Sequence, residues 1–262
     1  MSHVVVVGDY IHDVYRFCDA TRLCPEAPVP VLIPQNSDSR PGGAALVVAQ
    51  LEALGVLVRA HYGSLSRKER ILAGHRLICR VDEDRISHLR NYPSRDRFER
   101  RVLRSLANAS ALVISDYDKG TMTHSTASRF LQIAEQYHVP VFVDAKNNWR
   151  WYENGAFCFF PNEKESLFGV SLRSDLHIIR KLGSKGCKVD GDIAPTVAQA
   201  EFDVSGAGDC FLAAFVSSYL LKNDSVSEQE SLRRAAIFAN KVAGISVQHV
   251  GTHVVTWEEI GC

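Results

Sequence analysis

The chain opens on four consecutive valines, Val4-Val5-Val6-Val7, closed by Gly8. A β-branched run without polar alternation predicts a strand buried on both faces. From residue 111 onward, short apolar runs alternate with longer amphipathic ones. Residues 111–115, 139–143, 157–160 and 177–180 read as strands, and 123–137 and 230–248 as helices. That alternation predicts an α/β domain around a mostly parallel sheet. Three of the strands hand over to polar groups: Asp116-Tyr117-Asp118-Lys119-Gly120, Asp144-Ala145-Lys146 and Asn162-Glu163-Lys164-Glu165. Open parallel sheets hold ligands at those strand ends. Asp9 and Asp13 follow the first strand in the same way, where a carboxylate serves either a ligand or a turn.

Residues 14–40 follow another pattern. Pro25, Pro28, Pro30 and Pro34 interrupt an alternation around Val29, Val31 and Ile33. Proline belongs on edge strands or outside sheets, so this segment predicts a small β flap, with 76–82 as another of its strands. Gly42-Gly43 then opens an apolar helix over 46–54 that ends at Gly55. Arg95, Arg97, Arg100, Arg101 and Arg104, interleaved with Asp96 and Glu99, fit a solvated helix face. The short β-branched tail over 251–257 closes the pattern.

The most informative stretch is Asp203-Val204-Ser205-Gly206-Ala207-Gly208-Asp209, which runs directly into the Ala-rich apolar segment 210–215. A Gly-punctuated turn at a helix start presents unpaired N–H groups and the positive end of the helix dipole. Such a turn cradles anionic oxygens, and a carboxylate beside it, Asp209, is placed to accept a proton from an attacking hydroxyl.

Composition narrows the classes. With 262 residues, 46% hydrophobic and 23% charged, the chain supports one sizeable globular core. Thirty basic and thirty acidic residues give no net field toward nucleic acid or an anionic membrane. Seven scattered cysteines without a Cys-x-x-Cys pair read as reduced thiols in a cytoplasmic protein. Neither a signal sequence nor a membrane-spanning apolar run is expected.

Together these pieces resemble the ribokinase-like (PfkB) carbohydrate kinases: the 203–209 turn, Gly42-Gly43, the Asn-x-x-Glu of Asn162 and Glu165, and the Gly-x-x-Gly of Gly183 and Gly186. Within that family, Gly8-Asp9 with Asp13, Pro25-Glu26-Ala27-Pro28-Val29-Pro30-Val31, Ser115-Asp116-Tyr117 and Asp144 with Lys146 look like the D-glycero-D-manno-heptose-7-phosphate kinases, the kinase half of bifunctional ADP-heptose synthases. The resemblance implies a three-layer ribokinase-like fold over 1–262 with a β lid from 14–40 and 76–82, and no nucleotidyltransferase domain. It implies phosphoryl transfer from ATP to a sugar hydroxyl, with heptose 7-phosphate the leading acceptor. Another sugar kinase, for fructose 6-phosphate or a nucleoside, and a catalytically weak ligand-binding relative are the alternatives.

By the same resemblance Asp209 is the base, and Gly206, Ala207 and Gly208 form the anion hole. Asp9, Asp13, Gly42, Gly43, Asp116 and Lys146 bind the sugar. Asn162, Lys181, Gly183, Gly186 and Asn240 lie along the nucleotide. Asn162 and Glu165 organise Mg²⁺ through water, and Asp203 and Ser205 fall where some members hold a monovalent cation such as K⁺. A homodimer through the lid is implied. Leu46 stands where the heptose kinases usually carry Asn, and the passages near 56–70 and 166–180 are contracted against the family pattern, implying a missing strand–helix segment and a missing helix.

Overall fold

The computed structural model describes residues 2–74, 76–85, 92–171, 173–194, 203–221 and 225–261. Its centre is β1 (His3–Leu23), 21 residues long. Val4 and Val6 face one apolar core while Val5 and Val7 face the other, the period-2 alternation of a strand covered on both sides. β2 (Pro30–Gly43) pairs antiparallel with β1, and β3 (Val58–Ala73) pairs antiparallel with β4 (Arg76–Arg85). Over its first residues β1 pairs in parallel with β3 and with β5 (Ala109–Asp116). Beyond Gly8 the pairing with β5 stops, the register against β3 shifts, and the strand runs out of the sheet into the lid.

The remaining strands extend the sheet from β5 in parallel: β6 (Val141–Ala145), β7 (Cys158–Phe159) and β8 (His177–Lys181). β9 (Cys187–Val189) and β10 (Asp192–Ala194) close it as antiparallel strands. The order is β10-β9-β8-β7-β6-β5-β1-β3-β4, with β2 on β1. One layer packs α1 (Ala44–Ala53), α4 (Ala207–Leu220) and α5 (Glu228–Ser246) on the sheet, and the other packs α2 (Tyr92–Leu106) and α3 (His124–Gln136). Thr123 and Ser227 cap the starts of α3 and α5. The fold is thus the expected α/β sandwich on a mostly parallel sheet.

The lid uses more of the chain than 14–40 and 76–82. Four strands, β2-β1-β3-β4, form it, and β1 and β3 are shared with the main sheet. Pro30, Pro34 and Pro41 all sit on β2, which pairs only with β1, and the register shift at Cys18 opposite Pro34 absorbs the missing donor. The contraction near 56–70 takes physical form here, since β3 leads straight from the sheet into the lid. Between β7 and β8, the described part of residues 160–176 forms turns without a helix, yet the two strands remain parallel.

The short β-branched tail over 251–257 is an extended segment leading to α6 (Trp257–Ile260), which a Thr256–Glu259 capping box starts. Arg95 does not simply face solvent: it donates to the carbonyls of Gly120 and Thr121 at 3.1 and 3.2 Å, tying α2 to the loop after β5. No helix among the described residues is long and apolar enough to cross a membrane. The six described cysteines are free.

Candidate active site

A cavity of about 610 Å³ lies along the C-terminal ends of the parallel strands. Its lining brings together Lys146, Asn162, Lys181, Gly183, Gly186, Ser205, Gly206, Ala207, Gly208 and Asn240, residues from five segments of the chain.

The floor is the start of α4. Gly206 is its N-cap with φ +77°, a left-handed conformation that glycine adopts without strain. A side chain there would also run into Leu46, so the turn needs glycine twice over. The N–H groups of Gly206 and Gly208 make no hydrogen bond to described residues, while that of Ala207 reaches Val204 O at 3.3 Å. Unpaired amides at a helix start can receive anionic oxygens; of the three residues expected to form an anion hole, Gly206 and Gly208 have such amides, whereas the Ala207 N–H is turned to Val204 O.

Asp209 follows in the first turn of α4 and is 3% exposed. The Tyr117 hydroxyl lies 2.9 Å from each of its carboxylate oxygens and donates to the carboxylate. Burial pushes the Asp209 pKa up to about 6, and the nearby Asp144 adds to this; Tyr117, Lys146 and Lys181 pull the other way. A carboxylate ionising just below neutrality is matched to general-base work. Tyr117 itself lines the cavity. The sequence offered no sign of its contact with a residue 92 positions away.

Cations and carboxylates alternate around this floor. Lys181 pairs with Asp144, and Lys146 reaches Glu165 at 3.1 Å. Burial opposes the Lys146 charge, but Asp144 and Glu165 outweigh it and hold the ammonium above its ordinary range. Asn162 and Glu165 form a closed unit. The Asn162 amide side chain donates to Glu165 Oε1 at 2.7 Å, and its backbone N–H donates to Oε2 at 2.9 Å. Glu165 is thus held rigidly as an oxygen donor beside the cavity, with lone pairs left over. Such a donor suits the water-rich shell of Mg²⁺. Asn240 donates to Ala194 O at 2.8 Å and faces the end of the cavity near Gly183 and Gly186.

At the opposite end Asp13 is buried and paired with Arg70; it does not itself line the cavity, and neither do Gly42 and Gly43. Gly42 lies so close to Asp13 Oδ2 that any side chain would overlap it, and Gly43 ends β2 at the start of α1. Lys68 and Arg70 of β3 line the cavity here. Their stretch offered no motif in the sequence.

Two expected sugar ligands are placed differently. Asp9 is fully buried and accepts the backbone N–H groups of Tyr117, Lys119 and Thr121, at 2.7, 3.2 and 3.2 Å, and the Ser64 hydroxyl. Its carboxylate shapes the loop that delivers Tyr117 and does not line the cavity. Asp116, 2% exposed, accepts the Tyr152 hydroxyl at 2.6 Å and the Asp118 N–H at 2.9 Å, again away from the cavity. Asp203 accepts the N–H groups of Ser205 and Gly251 at 2.9 and 3.0 Å, clamping the cradle turn to the segment after α5. Leu46 is fully buried in the core under Gly206, so it supports the cradle and does not line the cavity.

A mostly parallel α/β sheet, a buried carboxylate at the start of a helix whose first amides are open, and a β flap that lines the same cavity fit a phosphotransferase of the sugar-kinase class. The sequence profile of the pfkB family carbohydrate kinases matches residues 79–259, and the chain belongs to that family, whose members are ATP-dependent sugar kinases. It is 30% identical to the bifunctional protein HldE of a Nitratiruptor species, over 98% of this chain and 64% of that relative. HldE of Proteus mirabilis is 28% identical, over 97% of this chain and 62% of its own length. The chain therefore spans somewhat under two-thirds of the length of these relatives. Among solved structures, ribokinase from Giardia lamblia superposes with a TM-score of 0.73 at 17% identity, covering 100% of this chain and 99% of the other. Phosphofructokinase-2 from Escherichia coli in complex with potassium gives 0.74 at 14% identity, covering 100% and 97%.

Proposed function

We propose that the protein transfers the γ-phosphoryl group of ATP to a hydroxyl of a sugar phosphate, with heptose 7-phosphate as the acceptor and heptose 1,7-bisphosphate as the product. The observation that carries the chemistry is the pair formed by buried Asp209 and the open amides of Gly206 and Gly208 in the same helix turn. The HldE relatives support the choice of heptose.

In this reading the acceptor hydroxyl takes the place of the Tyr117 hydroxyl at Asp209. As its oxygen attacks the γ-phosphorus, the proton passes to Asp209, the bond to the β-phosphate oxygen breaks, and ADP leaves. The cradle amides stabilise charge on the transferring group, and Lys146 and Lys181 add positive potential around it. Mg²⁺, when bound, would supply further charge neutralisation on the phosphate oxygens, and Asn162 and Glu165 would hold it through water. The ATP base and ribose extend past Gly183, Gly186 and Asn240, and Asp13 with Gly42 and Gly43 receives the sugar under the lid.

The cation and assembly readings extend this. Asp203 and Ser205 supply oxygen donors suited to K⁺, and the Escherichia coli relative solved with potassium supports testing it. Exposed Leu23, Val29, Ile33, Leu65, Leu77 and Val81 on the lid and its β1–β2 turn support a homodimer through the lid. Six free thiols suit the reducing cytoplasm.

The test is ADP release by the purified chain with Mg·ATP and heptose 7-phosphate, fructose 6-phosphate, ribose or adenosine, repeated in K⁺ and Na⁺ buffers. The proposal expects release that depends on heptose 7-phosphate above the other three. Release with adenosine or ribose alone contradicts the acceptor assignment, and none with any acceptor contradicts the kinase reading of this chain.

A further inference from the structure

The bend that follows α5 carries a cluster of metal-ligand side chains that the transfer chemistry does not use. His253 Nε2 lies 2.7 Å from Glu259 Oε1, and His249 Nε2 lies 3.5 Å from the same oxygen. One ligand atom from each of the three residues falls within 4.8 Å of the others. The two imidazole rings stack, with centroids 3.6 Å apart and planes 14° apart.

Local geometry explains why the three meet. Gly251 has φ +80°, which turns the chain back between the two histidines, and a side chain there would run into the Tyr15 ring. Glu259 arrives from the first turn of α6, where the cap orients it. Its Oε2 accepts the Thr256 N–H at 2.8 Å and the Thr256 hydroxyl at 3.0 Å, and Oε1 faces the rings. Hydrogen bonds of this kind behind a carboxylate hold it in place as a metal ligand. Two imidazoles and a carboxylate are a zinc-type donor set, with bonds of about 2.0–2.2 Å that space the ligand atoms about 3.3 Å apart. The observed 2.7 and 3.5 Å straddle that spacing. The side chains of His249, His253 and Glu259 are 42%, 24% and 28% exposed, so an ion can enter from solvent and complete its shell with water.

The same bend is tied to the cradle. Between the two histidines, the Gly251 N–H donates to Asp203 Oδ2 at 3.0 Å, and Arg40 of β2 donates to the Val250 and Thr252 carbonyls at 2.6 and 3.1 Å. The His253 carbonyl accepts the thiol of Cys210, the neighbour of Asp209 in α4, at 3.3 Å.

We propose that His249, His253 and Glu259 form a site for an imidazole-preferring divalent cation of the Zn²⁺ class, and that the bound ion tightens the clamp between this bend and the cradle turn. The site shares no residue with the Mg²⁺ pair Asn162 and Glu165 or with Asp203 and Ser205, and it does not depend on the kinase reading. Its nitrogen donors select against Mg²⁺, which prefers oxygen. An ion held by residues on both sides of Gly251 cross-links the bend and favours the folded loop over its open forms.

The test titrates the untagged, reduced full chain with Zn²⁺ and with Co²⁺ in excess Mg²⁺, for the parent, His249→Gln, His253→Gln and Glu259→Gln. One ion per chain is expected, with a Co²⁺ spectrum free of thiolate charge-transfer bands. Each substitution is expected to weaken Zn²⁺ binding by at least about tenfold. No binding by the parent, an affinity that any one of the three substitutions leaves unchanged, or a spectrum that puts the ion on cysteines overturns the site. Hydrogen exchange read by mass spectrometry tests the clamp. Zn²⁺ is expected to slow exchange over 203–209 and 247–253 in the parent and not in His253→Gln. Binding at the three residues without that protection leaves the metal site standing and overturns the clamp.

Discussion

At the scale of single residues, the proposed chemistry rests on Asp209 and Tyr117. Because burial raises the Asp209 pKa to about 6, kcat/KM is expected to fall below pH 6 as the base is protonated. The Tyr117 hydroxyl stabilises the ionised carboxylate, so Tyr117→Phe should move that acidic limb to higher pH; a pH–rate profile checks it, and a limb that stays or moves down contradicts the role given to the hydroxyl. The same burial has a cost in stability. A carboxyl with a folded pKa above its unfolded value favours the fold when protonated and opposes it once ionised, so the penalty appears as pH rises from about 4 through 6. Asp209→Asn is therefore expected to melt about 2–5 °C higher than the parent at pH 8, with the gap closing toward pH 4. Thermal scans at both pH values read this directly. Asp9 and Asp116 show why residue roles were only partly legible in the sequence. Both follow a strand end, where ligand carboxylates sit, but Asp9 is claimed by amides over 100 positions away and Asp116 by Tyr152. A linear pattern holds no record of such partners.

At the scale of elements, the turn into α4 depends on what lies beneath it. Leu46 of α1 packs against Gly206, and Asp203 ties the same turn to Gly251. Gly206→Ala forces an alanine into φ +77° and against Leu46, and is expected to cost about 1–3 kcal/mol of stability and at least about tenfold in kcat. Denaturant unfolding and steady-state kinetics test it; parent-like values for both contradict the cradle. Leu46→Asn puts an amide into a fully apolar site, so it should lower the melting temperature without changing the ranking of acceptors. A changed ranking would mean that position 46 reaches the sugar after all. The 203–209 turn, the glycine pair at 42–43 and the strand-end polar clusters were legible because their residue types are dictated by local backbone geometry. The lid's true extent was not, because β1 and β3 change from sheet to lid in mid-strand, with no break in their hydrophobic pattern.

At the scale of the whole molecule, the β flap is one part that carries a set of exposed apolar side chains. Exposed Leu65, Leu77 and Val81 on β3 and β4 are expected to be covered by a second copy, and a Leu77→Lys/Val81→Lys double variant is expected to shift the sedimentation of a dimer to that of a monomer. A parent that sediments as a monomer contradicts this assembly. The contracted β7–β8 connection leaves the sheet order and the cavity intact, so the absence of a helix among its described residues does not by itself remove the nucleotide end.

The central claim is that Asp209 activates an acceptor hydroxyl beside an amide cradle. Its most direct test sets the parent and Asp209→Asn side by side, with heptose 7-phosphate-dependent ADP release and Mg·ATP affinity measured on each. The account predicts acceptor-dependent release by the parent, a loss of at least about a thousandfold in kcat for Asp209→Asn, and ATP affinity within about threefold of the parent. Turnover by Asp209→Asn within a few-fold of the parent would contradict it.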